Sequence, residues 1–74
     1  MKVIETNHDG QNTYNSLEEF AANVLADLGP ENVLDLYLEG EDLQKFYDFA
    51  NQTEDEQKRL MGCFEQDFTF EIVE

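Results

Sequence analysis

Carboxylates are the most abundant chemically active groups in this chain of 74 residues, which holds 18 Asp and Glu against four Lys and Arg. The stretch YLEGED, residues 37–42, concentrates them, since Glu39, Glu41 and Asp42 fall within four positions. Carboxylates at this density can ligate calcium, act as the acid and base of a glycosidase, or present negative charge to a basic partner. The first two of these chemistries require further residues at defined spacings.

The two acidic stretches that contain a glycine do not have the spacing of a calcium loop. An EF-hand loop needs acids or amides at alternating positions, then Gly, then a closing Glu, and neither DGQN at 9–12 nor EGED at 39–42 continues in that way. The single His8 and the single Cys63 match no zinc pattern. We therefore expect no metal site and no cofactor.

The residues that serve as nucleophiles and bases in enzymes are scarce. His8 stands beside Asp9 in a predicted loop, which favours a surface position over a catalytic one. Cys63 lies between Met61 and Phe64 on a predicted helix, where a free cysteine is typically a small buried hydrophobe. No glycine-rich phosphate loop or nucleophile elbow is present, and a chain this short cannot easily enclose a sugar cleft. We expect a protein that is not an enzyme.

The net charge of −14 sets the kind of partner that the chain can bind. Such a charge repels DNA, RNA and anionic lipids, so direct binding to any of them is disfavoured. High charge is also typical of disordered chains, but six Phe, three Tyr and the regularly spaced leucines favour one folded domain over residues 1–74. One cysteine, no apolar leader and no membrane span indicate a cytoplasmic protein.

The first half of the chain predicts a strand, a loop and a helix. KVIE at 2–5 has the pattern of a short strand, and Asp9 with Gly10 favours a turn in the loop that follows. Ser16 and Glu19 form a capping box, after which apolar residues recur at helical spacing until Gly-Pro. This predicts a helix over 17–28.

The segment PENVLDLYLEG, residues 30–40, has two interpretations. Pro30 and Glu31 resemble the first turn of a helix, which is the interpretation we favour. The alternation of Leu34, Leu36 and Leu38 leaves open a strand over 33–39.

The second half predicts two helices and a strand. EDLQKFYDFANQ at 41–52 carries an apolar stripe, with Asp42 as its N-cap, and Thr53 begins the next helix with a second capping-box pattern. The pairs Glu54 with Lys58 and Asp55 with Arg59 are spaced for ion pairing along that helix. The alternating DFTFEIVE at 67–74 predicts a half-buried strand.

These elements predict a small single domain of the α+β class. Three or four short helices would pack on a small sheet in which the first and last strands pair. A third strand would make the sheet more stable, because an isolated two-stranded ribbon is only marginally stable.

Burial of the apolar stripes leaves a set of acids on the outside. Acids one helical turn apart are separated by about 6 Å, and DNA carries one phosphate per about 3.4 Å of axis on each strand, so an acidic helix face can approximate phosphate spacing. Solubility alone is served by a net charge of magnitude about 2 to 8 on a small domain. We therefore predict that these acids bind a basic protein surface: Glu18, Glu19, Asp27, Glu31, Asp35, Glu39, Glu41, Asp42, Asp48, Glu54 and Asp55.

YNSLEEFAANVLADLG at 14–29, followed by YLEGEDLQKF at 37–46, resembles the C-terminal part of ArdA-type antirestriction proteins. In that pattern a Tyr, Ser, Glu-Glu-Phe-Ala helix precedes a Tyr-x-Asp-x-Glu helix start; here Glu39 replaces the Asp and Gly40 interrupts it. The resemblance implies a DNA mimic from a phage or mobile element that blocks a nucleic-acid-binding defence enzyme in a bacterial cytoplasm. Small acidic anti-CRISPR proteins share its size and composition. The alternative is a small acidic binding or regulatory module that recognises one basic partner without mimicking nucleic acid.

Overall fold

A computed structural model describes residues 1–28 and 34–74 of the chain. Two strands open the chain, one strand closes it, and helices occupy the middle. The elements are β1 (Lys2–Asn7), β2 (Gly10–Tyr14), α1 (Leu17–Leu28), α2 (Glu41–Tyr47), a 3-10 turn (Phe49–Asn51), α3 (Glu54–Gly62) and β3 (Phe68–Val73).

The sheet of the described residues has three antiparallel strands in the order β2-β1-β3. The first and last strands are neighbours, with Lys2 opposite Val73 and Asn7 opposite Phe68. Helices and strands of the described residues form one small α+β domain, so the predicted fold class and the predicted pairing of the terminal strands are confirmed.

The third strand is β2, whose sequence predicts a loop. Its sequence, GQNTY, lacks alternating apolar residues, and it becomes a strand because β1 supplies its hydrogen-bonding partner. His8 and Asp9 make the two-residue connection, and Gly10 adopts φ 129°, a value that side chains rarely allow.

The alternative strand over 33–39 is wrong for the residues that the structure describes there. The Leu34 carbonyl accepts hydrogen bonds from the amides of Tyr37 and Leu38, both at 2.9 Å, so the chain turns instead of extending. Leu34 and Leu38 are both buried, which accounts for the leucine alternation without a strand. The predicted helix start at Pro30 and Glu31 lies outside the described residues.

The core lies between one face of the sheet and the helices. Aromatic rings connect the two layers: the Phe68 ring of β3 lies 5.0 Å from Phe20 of α1 and 5.7 Å from Phe64, which follows α3. Val3 is fully buried on the central strand, and alternation places Glu5 on the same inner face. A charged residue therefore points toward the helices from the middle of the sheet.

Two of the three predicted helix caps are confirmed. Ser16 Oγ accepts from the Glu19 amide at 3.1 Å, and Thr53 Oγ1 accepts from the Glu56 amide at 3.2 Å. The prediction of Asp42 as an N-cap is wrong, because α2 begins two residues earlier than that cap requires: Gly40, at φ 56°, is the N-cap, and no side chain caps the helix. Asp42 is free to bond elsewhere, and it does so with a residue of α3.

Candidate partner-binding surface

The predicted partner-binding acids lie on several elements. All of those within residues 1–28 and 34–74 are exposed except Asp42, which is partly buried, while Glu31 lies outside the described residues. Each described α-helix has acids in its first turn, where they complement the positive end of the helix dipole. Of the other predicted acids, Asp27 lies in the last turn of α1, Asp35 and Glu39 precede α2, and Asp48 follows α2.

One set of charges is neutralised within the chain, and we call Asp42, Lys45, Glu56 and Arg59 the ion-pair cluster. The Arg59 guanidinium binds both Asp42 oxygens, at 2.8 and 3.0 Å, and both Glu56 oxygens, at 2.9 and 3.2 Å. Lys45 Nζ lies 3.4 Å from Glu56 Oε2. The bonds from Arg59 hold the pKa values of the Asp42 and Glu56 carboxyls below their usual range. Asp42 is thus occupied by a contact that links α2 to α3.

The predicted ion pairs along α3 are wrong. Among the described residues, the ion pairs are those of the ion-pair cluster, and neither Glu54 with Lys58 nor Asp55 with Arg59 belongs to them. Arg59 has a bidentate partner on another helix and a second carboxylate one turn away. Two planar carboxylates therefore satisfy the guanidinium better than Asp55 would.

Other acids of the described chain are bonded only by neutral donors. Asp48 accepts from Asn51 Nδ2 at 2.6 Å, and Glu19 accepts from the Asn15 amide at 3.2 Å. Asp67 accepts from the Tyr37 hydroxyl, and this bond raises the pKa of Tyr37. Neutral donors fix the position of a carboxylate but leave its negative charge uncompensated.

A cavity of about 160 Å³ brings four carboxylates together, and we call it the acidic cavity. It lies between β1, the β1–β2 turn and the end of α1. Its described lining consists of Glu5, Asp9, Asp27 and Asp67, with Asn7, His8, Val24, Leu28 and Phe68. Asp27 is one of the predicted site residues, whereas Glu5, Asp9 and Asp67 were missed.

Glu5 is the most buried acid of this lining, with 6% of its surface exposed. Its Oε1 lies 2.9 Å from the Tyr14 hydroxyl and 3.4 Å from Asn12 Nδ2. Burial and the bond to Glu5 raise the pKa of Tyr14 to about 12. The signal for this residue was present in the sequence, because Glu5 follows Val3 at the strand period and must share its inward face.

Of the two remaining candidate residues, His8 has the expected surface position, and Cys63 is less buried than expected. His8 is exposed in the β1–β2 turn and contributes to the lining of the acidic cavity. Cys63 is partly buried at the end of α3, where burial raises the pKa of its thiol. In the described part of the chain, no group of His, Cys, Asp and Glu is arranged to hold a metal ion, and no helix is long and apolar enough to cross a bilayer.

Comparisons with known proteins give no relative: no family model, no curated protein and no solved structure matches this chain. The function must therefore be argued from the residues and their geometry.

Proposed function

We propose that the protein is an inhibitor, carried by a phage or mobile element, that mimics nucleic acid. It would occupy the basic groove of a bacterial defence enzyme, either a restriction enzyme or a CRISPR effector, in the cytoplasm of the host. The observation that carries the proposal is the distribution of charge. The ion pairs of the described residues engage only Asp42 and Glu56, and the other described acids keep their charge for a partner.

The cost of this charge supports a function in binding. A net charge of −14 repels itself and opposes compaction, and it exceeds the magnitude of about 2 to 8 that keeps a small domain soluble. A domain this small has limited core burial to offset the repulsion. Selection for a basic partner explains why the excess persists, and solubility alone does not.

The dimensions of the domain suit a nucleic-acid groove. The backbone spans 30 × 27 × 17 Å, and its long axis matches about nine phosphate steps of about 3.4 Å. Along α1, Glu19 and Asp27 are two turns apart, so their backbone positions are separated by about 12 Å along the helix axis. The resemblance to ArdA-type proteins covers the same helix, and it points to the same function.

A small acidic module that recognises one basic protein is the second candidate. The acidic cavity favours this candidate, since a discrete pocket with an apolar wall can select for the shape of a single side chain. A phosphate mimic depends on many dispersed charges instead. The two candidates differ in whether nucleic acid competes for the same surface.

Capture followed by competition tests the proposal. Tagged protein captures its partner from a bacterial lysate, the complex is eluted with salt, and mass spectrometry identifies the partner. The purified complex is then challenged with a DNA duplex and with an RNA duplex. A mimic is displaced by one of them, and a partner that stays bound while it also binds the nucleic acid supports the acidic module and contradicts mimicry.

A further inference from the structure

We propose that the acidic cavity receives an arginine side chain of the partner protein. The inference rests on the proposed function only in that the partner is basic, and it holds for either candidate. It assigns the binding of one specific cation to Glu5, with Asp9, Asp27 and Val24 as further contacts.

The first argument is the missing cation of Glu5. A carboxylate that is 6% exposed loses most of its hydration, and buried charges are normally paired with an opposite charge. Within the described residues Glu5 has neutral donors only, the Tyr14 hydroxyl and the Asn12 amide. Both lie within bonding distance of Oε1; Oε2 accepts no hydrogen bond from the described residues and keeps some contact with solvent, since no buried side-chain oxygen among them lacks a partner. This oxygen belongs to a side chain that lines the cavity, where an incoming cation would complete the pairing.

The second argument is the composition of the wall. Asp9 and Asp27 add negative charge, and no Lys or Arg is among the described lining residues. Val24, Leu28 and Phe68 provide the apolar part of the wall. An arginine has the matching structure, because its aliphatic stem can pack on apolar surface while its head group bonds to carboxylates.

The guanidinium fits this cavity better than a bare metal ion. The described acids are not grouped closely enough to coordinate a metal, and the space of about 160 Å³ admits a side chain. A guanidinium is also more weakly hydrated than an ammonium, so it loses less on entering a partly apolar space. Its five N–H donors also allow it to bond to more than one carboxylate.

The test is an NMR titration of the ¹⁵N-labelled protein with Nα-acetylarginine amide. We expect saturable shifts of the amides that line the cavity, among them Val24 and Asp27. The neutral analogue Nα-acetylcitrulline amide has nearly the same shape and should give no saturable shifts. Glu5→Gln keeps an acceptor for Tyr14 and removes the charge, and it should weaken arginine binding about tenfold, since one hydrogen bond to a charged group is lost.

The matched control is Glu71→Gln, which removes one charge from an exposed position of β3. Glu71 lies opposite Ile4, on the face of the sheet away from Glu5, so this variant should bind the amide as the wild type does. Dispersed spectra establish that each variant is folded, and Asp27→Asn replaces Glu5→Gln if the latter is not.

Shifts spread over all acidic surfaces, or equal weakening by Glu5→Gln and Glu71→Gln, would overturn the cavity assignment. That result does not contradict the proposed function, which is tested separately by competition with DNA and RNA. Conversely, a partner that DNA and RNA fail to displace contradicts mimicry and leaves the arginine site intact.

Discussion

The ion-pair cluster and the acidic cavity use carboxylates in opposite ways. At the ion-pair cluster, Arg59 and Lys45 neutralise acids that join α2 to α3. At the acidic cavity, Glu5 is more deeply buried than Asp42, yet its described partners are neutral. Burial alone would predict the reverse, because the more buried charge needs a counter-ion more.

The difference separates acids whose charge is neutralised by a described Lys or Arg from acids whose charge is not. The chain has four basic residues, and two of them, Lys45 and Arg59, form ion pairs between α2 and α3. Lys2 bonds to Asn15 Oδ1 at 2.6 Å, so it too is used away from the cavity. Two of the four basic residues thus join α2 to α3, and no Lys or Arg is among the described residues that line the acidic cavity.

The largest effect on stability is expected from Tyr14→Phe. The substitution removes the shorter of the two hydrogen bonds to Glu5 and leaves the buried carboxylate with Asn12 at 3.4 Å. Loss of a partner to a buried polar group costs about 1 to 3 kcal/mol of unfolding free energy. Urea denaturation measures it, and unchanged stability would mean that the Tyr14 bond contributes nothing to holding Glu5.

The next largest effect concerns the partner. Asp35→Asn, Glu39→Gln and Glu41→Gln remove three exposed charges without touching the ion-pair cluster. Exposed pairs contribute about 0.2 to 1 kcal/mol each, so binding to the captured partner should weaken about tenfold, mainly through slower association. Kinetics at two ionic strengths measure it. Unchanged affinity and salt dependence would make these acids a solvated surface.

Asp42 is left unchanged in that variant because it bonds to Arg59, a contact that local sequence patterns do not predict. Its partner Arg59 is 17 positions away, so the ion pair depends on how α2 and α3 pack. Local patterns identified α1, the start of α3 and the strand β3, because caps and periodicity are properties of neighbouring residues. The strand β2 could not be identified, since pairing with β1 decides it. The inward position of Glu5 could have been identified, because Glu5 lies two residues after the apolar Val3 on the same strand.

Alkaline pH should expose the contribution of Tyr14. Its pKa is about 12 in the folded protein and 10.0 ordinarily, so the unfolded chain loses this proton first. The stabilisation is complete below pH 10 and is lost as the pH rises toward 12. Melting temperatures of wild type and Tyr14→Phe should therefore converge over this range. A constant difference would show that the Tyr14 hydroxyl titrates normally.

A smaller effect is expected at the ion-pair cluster. Arg59→Gln leaves Asp42 and Glu56 without their guanidinium partner and should lower the melting temperature. Lys58→Gln is the matched control, because it removes the same charge from the adjacent position, which makes no ion pair with any described residue. If both variants have the same melting temperature, the hydrogen bonds of Arg59 add nothing to stability beyond the effect of one positive charge.

Thermal melting across a salt series tests most directly whether the acids outside the ion-pair cluster are uncompensated. Raising NaCl from about 0.01 to 1 M shortens the Debye length from about 30 to 3 Å and screens repulsion between exposed carboxylates. The melting temperature should rise steadily over this range, because relief of repulsion outweighs the weakening of the few ion pairs. A melting temperature that stays flat or falls as salt increases would show that the acids are already balanced within the fold, and the case for a basic partner would lose its foundation.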